Sequence, residues 1–222
     1  MRRLSIISFG VVLVTLFGMS LPATYELAVV KYGGGGDWYA NPTSVPNLVK
    51  YCNENINTNI KESVATVDIG SPEVFNYPFL HLTGHGNVVF SELDQLNLIK
   101  YLLGGGFVHV DDNYGMDTYI RPQLNKLFPG NTLVEIPFSH EIFNTPHSFP
   151  NGLPKIHEHD SRPPQAFALL LKGKVCLLYT FECDLGDGWE DAGVHNDSKQ
   201  NRELALKMGA NIVHYALTGG IN

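Results

Sequence analysis

The chain has 222 residues, with 15 lysines and arginines against 22 aspartates and glutamates, and its formal net charge is −7 at pH 7. This length suffices for one domain with a sizeable apolar core. An acidic chain without a basic cluster is poorly suited to nucleic acid or anionic lipid, so we expect neither as a partner. The cysteines, Cys52, Cys176 and Cys183, are odd in number, which excludes a complete disulfide framework. We expect them to be buried apolar side chains.

The N-terminal segment predicts export. Arg2 and Arg3 precede an uncharged, largely apolar stretch at 4–21, and small or turn-prone residues follow as far as Ala23. This pattern is typical of a signal peptide cleaved near that point. The alternative is an uncleaved membrane anchor, because the stretch is close to the minimum length for a span. Either way, we expect 24–222 to form a single domain that is periplasmic, envelope-anchored or secreted, with membrane contact only through the N-terminal segment if it is uncleaved.

Apolar strands alternate with glycine turns and helices along the rest of the chain. The predicted elements are a strand at 28–31, a helix at 43–55, strands at 64–68 and 79–83, a helix capped by Ser91, a strand at 107–110, a helix at 118–127, a strand at 132–137, a hairpin at 165–180 and a helix at 199–217. This alternation is typical of parallel βαβ units with right-handed crossovers. We therefore predict an α/β fold with a mainly parallel sheet and helices on both faces. In the helix after Ser91, the apolar stripe at positions 93, 96, 99, 102 and 103 is predicted to face the core.

Polar side chains follow the ends of several predicted strands. Ligands of an open parallel sheet bind beyond the carboxyl ends of its strands, so these side chains are the candidate site. The predicted catalytic residues are Asp112 with His85 or His140 as partner, the predicted cation ligands are Asp111 and Asp112, and the predicted ligand-binding residues are Gly34, Gly35, Asp37, Trp38, Asn113, Tyr114 and Asp184. For the aspartate pair, a role as a helix cap remains open beside the functional role.

Other polar motifs fit known sites poorly. His81 and His109 lie within strands and are predicted to be packing histidines. The stretch at 157–160 (HEHD) lacks the H-E-x-x-H spacing and is followed by two prolines, so we predict a solvated loop. The glycines at 33–36 match neither the P-loop nor the dinucleotide-binding motif. No G-x-S-x-G turn is present, which disfavours a serine hydrolase of the usual α/β kind.

Five segments together resemble a bacterial family of domains of unknown function. They are KYGGGGDWY (31–39), LTGHG (82–86), GGFVHVDDNYG (105–115), SHEIF (139–143) and ECDLGDGWED (182–191). The resemblance covers 27–217 and implies a class I glutamine amidotransferase-like fold, which is a flavodoxin-like sandwich. Amidotransferases of that fold carry a nucleophilic cysteine in a G-x-C-x-G turn. The corresponding turn here, at 110–115, has no cysteine, which argues against glutaminase activity.

Two functions from different classes remain open. The first is a hydrolase of an extracytoplasmic, glycan-like polymer, in which the aspartate pair binds a divalent cation or divides the acid and base roles with an imidazole. Trp38, Tyr39 and Tyr114 would then stack on a sugar ring. The second is a non-catalytic binding or assembly module of the cell envelope on an inherited enzyme fold. An enzyme requires the predicted groups to converge in one concave site, whereas a binding module does not.

Overall fold

The computed structural model describes residues 24–219, so the predicted signal or anchor segment at 1–23 lies outside the described residues. The strands are β1 (Ala28–Lys31), β2 (Ala65–Asp68), β3 (Phe79–Gly84), β4 (Phe107–Asp112), β5 (Val134–Glu135), β6 (Gln165–Leu171) and β7 (Lys174–Phe181). The helices are α1 (Ser44–Asn55), α2 (Glu92–Leu103), α3 (Asp117–Leu127), α4 (Leu185–Trp189) and α5 (Lys199–Thr218). Within the described part, no helix has the length and apolar composition needed to cross a membrane.

The strands form one sheet of seven strands in the order β2-β1-β3-β4-β7-β6-β5. The first five strands in this order are parallel. β6 is antiparallel to both of its neighbours. The order of the parallel part is that of flavodoxin-like folds, in which ligands bind beyond the carboxyl ends of the strands. The predicted α/β fold with a mainly parallel sheet is therefore confirmed, and it is consistent with the flavodoxin-like sandwich that the resemblance implies.

Helices cover both faces of the sheet. Helices α1, α4 and α5 pack on one face, which we call the α1 face, and its core contains Leu48, Trp189 and Met208. Helices α2 and α3 pack on the other face, which we call the α2 face, with Tyr101 and Ile120 in its core. Each face buries a separate apolar cluster against the sheet, as expected for a sheet with apolar residues on both sides.

The rotation of α2 differs from the prediction. The helix begins with the predicted cap, in which Ser91 and Asp94 exchange side-chain to backbone hydrogen bonds. Leu102 is buried as predicted, but the leucines at 93, 96 and 103 are exposed, and Leu98 and Tyr101 are buried in their place. The Tyr101 hydroxyl donates to the carbonyl oxygens of Tyr77 (2.9 Å) and Phe107 (3.2 Å). These hydrogen bonds help to fix which side of α2 faces the core, and they leave no trace in the spacing of apolar residues. The hydrophobic pattern therefore could not predict the rotation of the helix.

Helix α4 lies within a segment that was predicted to be a loop. It has only five residues, and two of them are glycines, so it lacks a helical apolar stripe. A Cβ atom on Gly188 would lie 2.4 Å from Cβ of Ala205 in α5, so glycine is needed for this close contact. The indole N–H of Trp189 donates to the Ala205 carbonyl at 2.7 Å. These contacts fix α4 on α5 at the carboxyl edge of the sheet.

Candidate metal centre

Asp111 and Asp112 point to opposite faces of the sheet. Successive residues of a strand alternate between faces, and both aspartates lie within β4. Asp111 accepts the Gly186 N–H on the α1 face (2.6 Å), whereas Asp112 accepts the Met116 and Asp117 N–H groups at the start of α3 on the α2 face (2.9 and 3.0 Å). The two carboxylates therefore do not meet at one point, and the predicted cation site on this pair is not formed.

Asp112 closes the turn that leads into α3. One oxygen accepts the Tyr114 N–H at 2.9 Å, and the other accepts the Tyr179 hydroxyl at 3.1 Å. Burial raises the pKa of Asp112, although the Met116 and Tyr114 N–H donors oppose the rise. Three of the four hydrogen bonds to Asp112 come from the turn and the helix start, so the structure favours the cap role that the sequence left open.

Replacing Asp112 with asparagine should destabilise the fold by about 1 kcal/mol, the usual cost of losing a helix cap. Asparagine keeps one acceptor oxygen, but its NH₂ group takes the place of the second carboxylate oxygen. The groups that donate to that oxygen in the wild type then lose their acceptor. Thermal unfolding with chelator and with Zn²⁺ should show the same loss. Glu92→Gln, an exposed acidic residue in the first turn of α2, is the matched control. A variant as stable as the wild type would contradict the cap role.

Asp37 and His85 form a pair between two loops at the sheet edge. Asp37 accepts the His85 backbone N–H at 2.5 Å, and its second oxygen lies 3.0 Å from His85 Nδ1. The half-exposed imidazole therefore holds the glycine loop after β1 against the loop after β3. Gly34 has a φ of +105°, and a Cβ there would lie 2.8 Å from the Val89 nitrogen; Gly35 is also left-handed, with a φ of +89°. Gly34 therefore serves the close approach of the two loops, whereas Gly35 serves only the left-handed turn.

His140 lies away from the carboxyl edge. Its Nδ1 accepts the Ile142 N–H at 3.2 Å, and its ring centroid lies 5.5 Å from that of Tyr215 near the end of α5. The Tyr215 hydroxyl accepts the Val175 N–H, which belongs to the start of β7. The chain therefore turns back along α5 after β5, and it carries His140 toward the opposite end of the sheet. The structure does not bring this predicted partner to Asp112.

The chemically richest cluster contains His157, Asp187 and His195. Asp187 Oδ2 lies 2.9 Å from Nδ1 of His157 and 3.6 Å from Nδ1 of His195. One ligand atom from each of the three side chains lies within 4.8 Å of the others. Asp187 is on α4, and the histidines come from the loops on either side of the carboxyl edge. Two imidazoles and one carboxylate match the protein ligands of many catalytic zinc sites.

Each histidine of this cluster has a second carboxylate on its outer nitrogen. His157 Nε2 lies 3.0 Å from Asp197, and His195 Nε2 lies 2.9 Å from Glu190. Glu190 is itself fixed by the Thr43 N–H and hydroxyl, both at 3.1 Å. If each Nε2 donates its hydrogen outward, both Nδ1 lone pairs point toward Asp187. A nitrogen lone pair that faces a carboxylate is repelled by it unless a proton or a cation lies between the two. Histidines that bind metal ions are oriented by an acceptor on the outer nitrogen, as these two are.

The remaining oxygen of Asp187 is held by two asparagines. Asn41 donates its side-chain amide to Oδ1, and Asn113 donates to the same atom at 3.3 Å. Burial alone would raise the pKa of Asp187, but hydrogen bonds from His157 and Asn41 outweigh it and hold the pKa below its usual value. The hydrogen bond with Asp187 in turn raises the pKa of His157, against the effect of burial. Asn113, a predicted ligand-binding residue, therefore orients a member of the cluster.

Two more acidic side chains lie beside the cluster. Asp184 Oδ2 contacts His159 Nε2 and lies 3.7 Å from His157 Nδ1. Its other oxygen is buried without a hydrogen-bond partner among residues 24–219. Burial, together with the charges of Asp111 and Asp187, raises the pKa of Asp184 to about 9. Burial likewise raises the pKa of Asp111 to about 7. Asp184 has a left-handed backbone (φ +53°), a strained conformation that is often found at functional sites.

The stretch at 157–160 is only in part the solvated loop that was predicted: residues 158–160 are exposed, but His157 is partly buried. His157 and His159 both contact carboxylates, and the Tyr114 ring stacks on His159 with centroids 4.4 Å apart. Motif spacing tests only ligands that are close in sequence, and it fails here because the partners come from distant segments. Cys183 is buried, as predicted, and its sulfur lies 4.0 Å from Asp111 at the edge.

His81 and His109 are packing histidines, as predicted, and they belong to a buried chain of hydrogen bonds. Their Nδ1 atoms are 3.1 Å apart, and His109 Nε2 lies 3.0 Å from the Thr180 hydroxyl. That hydroxyl lies 2.5 Å from Asp111. Burial lowers the pKa of His81 to about 3 and also lowers the pKa of His109, so both imidazoles are neutral. This series of hydrogen bonds therefore connects Asp111 to the interior of the α1 face.

The fold and this edge define a doubly wound α/β domain with clustered imidazoles and carboxylates at the carboxyl ends of its strands. The chain belongs to the family described as domain of unknown function (DUF4159), whose model matches residues 26–217. Comparison with curated proteins gave no match. The predicted resemblance is confirmed at the level of a family of unknown function, and the relation to glutamine amidotransferases stays a prediction.

Proposed function

We propose that this domain is an exported, metal-dependent hydrolase that cleaves acyl bonds in a glycan-like polymer. The observation that carries the proposal is the cluster of His157, Asp187 and His195, in which each outer imidazole nitrogen is held by a buried carboxylate. This is the arrangement of a cation site with oriented ligands. Catalytic zinc sites commonly use three protein ligands, so His157, Asp187 and His195 would suffice to hold Zn²⁺ and would leave room for a water molecule. The sequence predicted a cation on Asp111 and Asp112. The proposal assigns the cation to His157, Asp187 and His195 instead.

The proposed chemistry uses the neighbouring acidic residue. A bound Zn²⁺ ion lowers the pKa of its water and polarises a carbonyl oxygen. Asp184 lies 3.7 Å from His157 Nδ1. The positive charge of a cation held beside it would lower the raised pKa of this carboxyl, so that its ionised form would accept the proton of that water. In hydrolysis the water oxygen would form a bond to the acyl carbon, the bond from that carbon to the amide nitrogen would break, and Asp184 would pass the proton to the leaving amine.

Two sequence features support the substrate class and the location. The segment at 1–23 has the pattern of an export signal or anchor. Tyr39 and Tyr114 are exposed aromatic side chains in the loops at the carboxyl edge, where they can contact a sugar ring. Thiol chemistry has little support, because burial raises the pKa of both Cys52 and Cys176 to about 12. We therefore do not propose a glutaminase, even if the amidotransferase-like fold relation holds.

Zn²⁺ binding and turnover test the proposal separately. Equilibrium dialysis of the wild type should give one Zn²⁺ per chain, and His195→Ala should abolish binding. Glu190→Gln should weaken binding by about 10–100-fold, the usual effect of losing a group that orients a metal ligand. Glu92→Gln and His214→Ala are the matched controls. Failure of the wild type to bind Zn²⁺, or unchanged binding by His195→Ala, would refute the metal centre.

Turnover is measured as the release of acetate and of free amines from purified peptidoglycan and from chitin oligomers. Asp184→Asn should keep Zn²⁺ bound but lose turnover by about 10²–10⁴-fold, the usual contribution of a general base. A wild type that binds Zn²⁺ and releases neither product contradicts the hydrolase. It would instead support the alternative predicted from sequence, a binding or assembly module of the envelope.

A further inference from the structure

A cavity of about 210 Å³ opens on the α1 face beside the metal centre. Its walls include Trp38, Tyr39, Pro42 and Pro46, and its inner surface includes His81 and Thr83 of β3. Asn41 also lines the cavity, and the same amide donates to Asp187. The cavity and the metal centre therefore share a wall, and a group bound in one lies next to the other.

His81 gives this cavity an unused polar atom. The side chain is completely buried, and its Nδ1 faces His109 at 3.1 Å. Its Nε2 has no hydrogen-bond partner in the part of the chain that the structure describes. A buried polar atom without a hydrogen bond destabilises the fold, so an unpaired nitrogen beside a cavity calls for a partner. A hydroxyl group in the cavity would supply one.

The lining selects a small, neutral ring. None of the described residues lining the cavity is an aspartate, glutamate, lysine or arginine, so neither an anion nor a cation finds a counter-charge there. The cavity is smaller than the roughly 300–1,000 Å³ of pockets for drug-sized ligands, so it holds one ring and not an oligomer. The rings of Trp38 and Tyr39 meet edge to face with centroids 5.4 Å apart, and they offer aromatic surface for the apolar side of a sugar.

We propose that this cavity is a binding subsite for one neutral sugar residue, with a sugar hydroxyl hydrogen-bonded to His81 Nε2 and the ring against Trp38. The inference rests on the proposed function for its choice of ligand class. It adds a subsite that would hold one sugar residue of the polymer, with Asn41 between that sugar and the metal centre. It assigns a ligand contact to His81, which the sequence predicted to be a packing residue only.

The test uses N-acetylglucosamine as the probe and chelator-treated protein, so that it does not depend on the cation. In ¹⁵N NMR spectra of the imidazole side chains, the probe should shift the His81 Nε2 resonance of the wild type. His81→Phe keeps an aromatic ring without the nitrogen, and it should weaken binding at least tenfold. His214→Phe, the same change on the outer part of α5, should bind as the wild type does.

Trp38→Ala is the second variant, because this residue is only partly buried at the border of the core, whereas His81 is completely buried. It should also weaken binding at least tenfold, and it keeps the proposal testable if His81→Phe does not fold. A wild type whose His81 signal does not respond to millimolar N-acetylglucosamine would overturn the subsite, as would unchanged binding by Trp38→Ala. Binding that persists in His195→Ala supports the subsite even if the metal centre fails, so the two failures are distinguishable.

Discussion

Replacing Trp189 with alanine is expected to lower the free energy of unfolding by about 3–5 kcal/mol, the usual cost of truncating a large buried aromatic residue. Trp189 is completely buried, and its ring centroid lies 5.3 Å from that of His81 and 5.6 Å from that of His109. The truncation also leaves the Ala205 carbonyl without its indole donor. Urea unfolding followed by circular dichroism measures the change. Trp38→Ala is the matched control and should lose much less, because that tryptophan is only partly buried.

The same variant should lose affinity for Zn²⁺. Trp189 is the last residue of α4, the helix that carries Asp187, and Glu190 follows it directly. Loosening this helix misplaces a ligand and the carboxylate that orients another, so we expect a larger loss of affinity than for Glu190→Gln alone. A folded Trp189→Ala protein with wild-type affinity would show that α4 does not depend on the indole for its position.

Zn²⁺ at one hundred times its dissociation constant is expected to raise the free energy of unfolding by about 2.7 kcal/mol. The reason is that the three proposed ligands come together only in the folded chain. Thermal unfolding with and without the ion measures the effect, and a chelator should reverse it. Mg²⁺ should give little shift, because it prefers oxygen ligands to imidazole.

The double variant His157→Ala and His195→Ala should show no Zn²⁺-dependent stabilisation. The matched control is His214→Ala, which removes an imidazole from α5 and should keep the full effect. An equal shift in the double variant would mean that the ion binds elsewhere on this acidic chain, and the metal centre described above would be rejected.

Most of the fold was predictable because its signals are local. Each core strand is a short apolar run beside a glycine turn, and each long helix has either a cap or an apolar period. The position of the site was also predictable, because strand order fixes which edge of a parallel sheet binds ligands. Asp184 and Asn113 were selected in this way, and they lie next to His157 and Asp187 of the proposed metal centre.

The composition of the site was less accessible to sequence reasoning. His157, Asp187 and His195 belong to segments without regular repeats, and their meeting depends on a short helix that has no sequence period. Asp111 and Asp112 looked like a pair because they are adjacent, yet adjacency within a strand places them on opposite faces. His140 follows a strand end, but the chain after that strand runs back along α5. That path depends on long-range packing, which local sequence patterns do not indicate.

The buried chain from Asp111 to His81 imposes a rule on where hydrogens can be. A neutral imidazole carries one N–H, and two facing Nδ1 atoms can share only one hydrogen, so His81 and His109 must be opposite tautomers. When Asp111 is ionised, Thr180 donates to it, His109 donates to Thr180, and His81 donates to His109. His81 Nε2 then presents a lone pair. A proton on Asp111 permits the reverse order, in which the same nitrogen becomes a donor. The protonation state of the Asp111 carboxylate thus determines whether His81 Nε2 at the cavity wall accepts or donates a hydrogen bond. Only hydrogens change position, and every heavy atom stays in place.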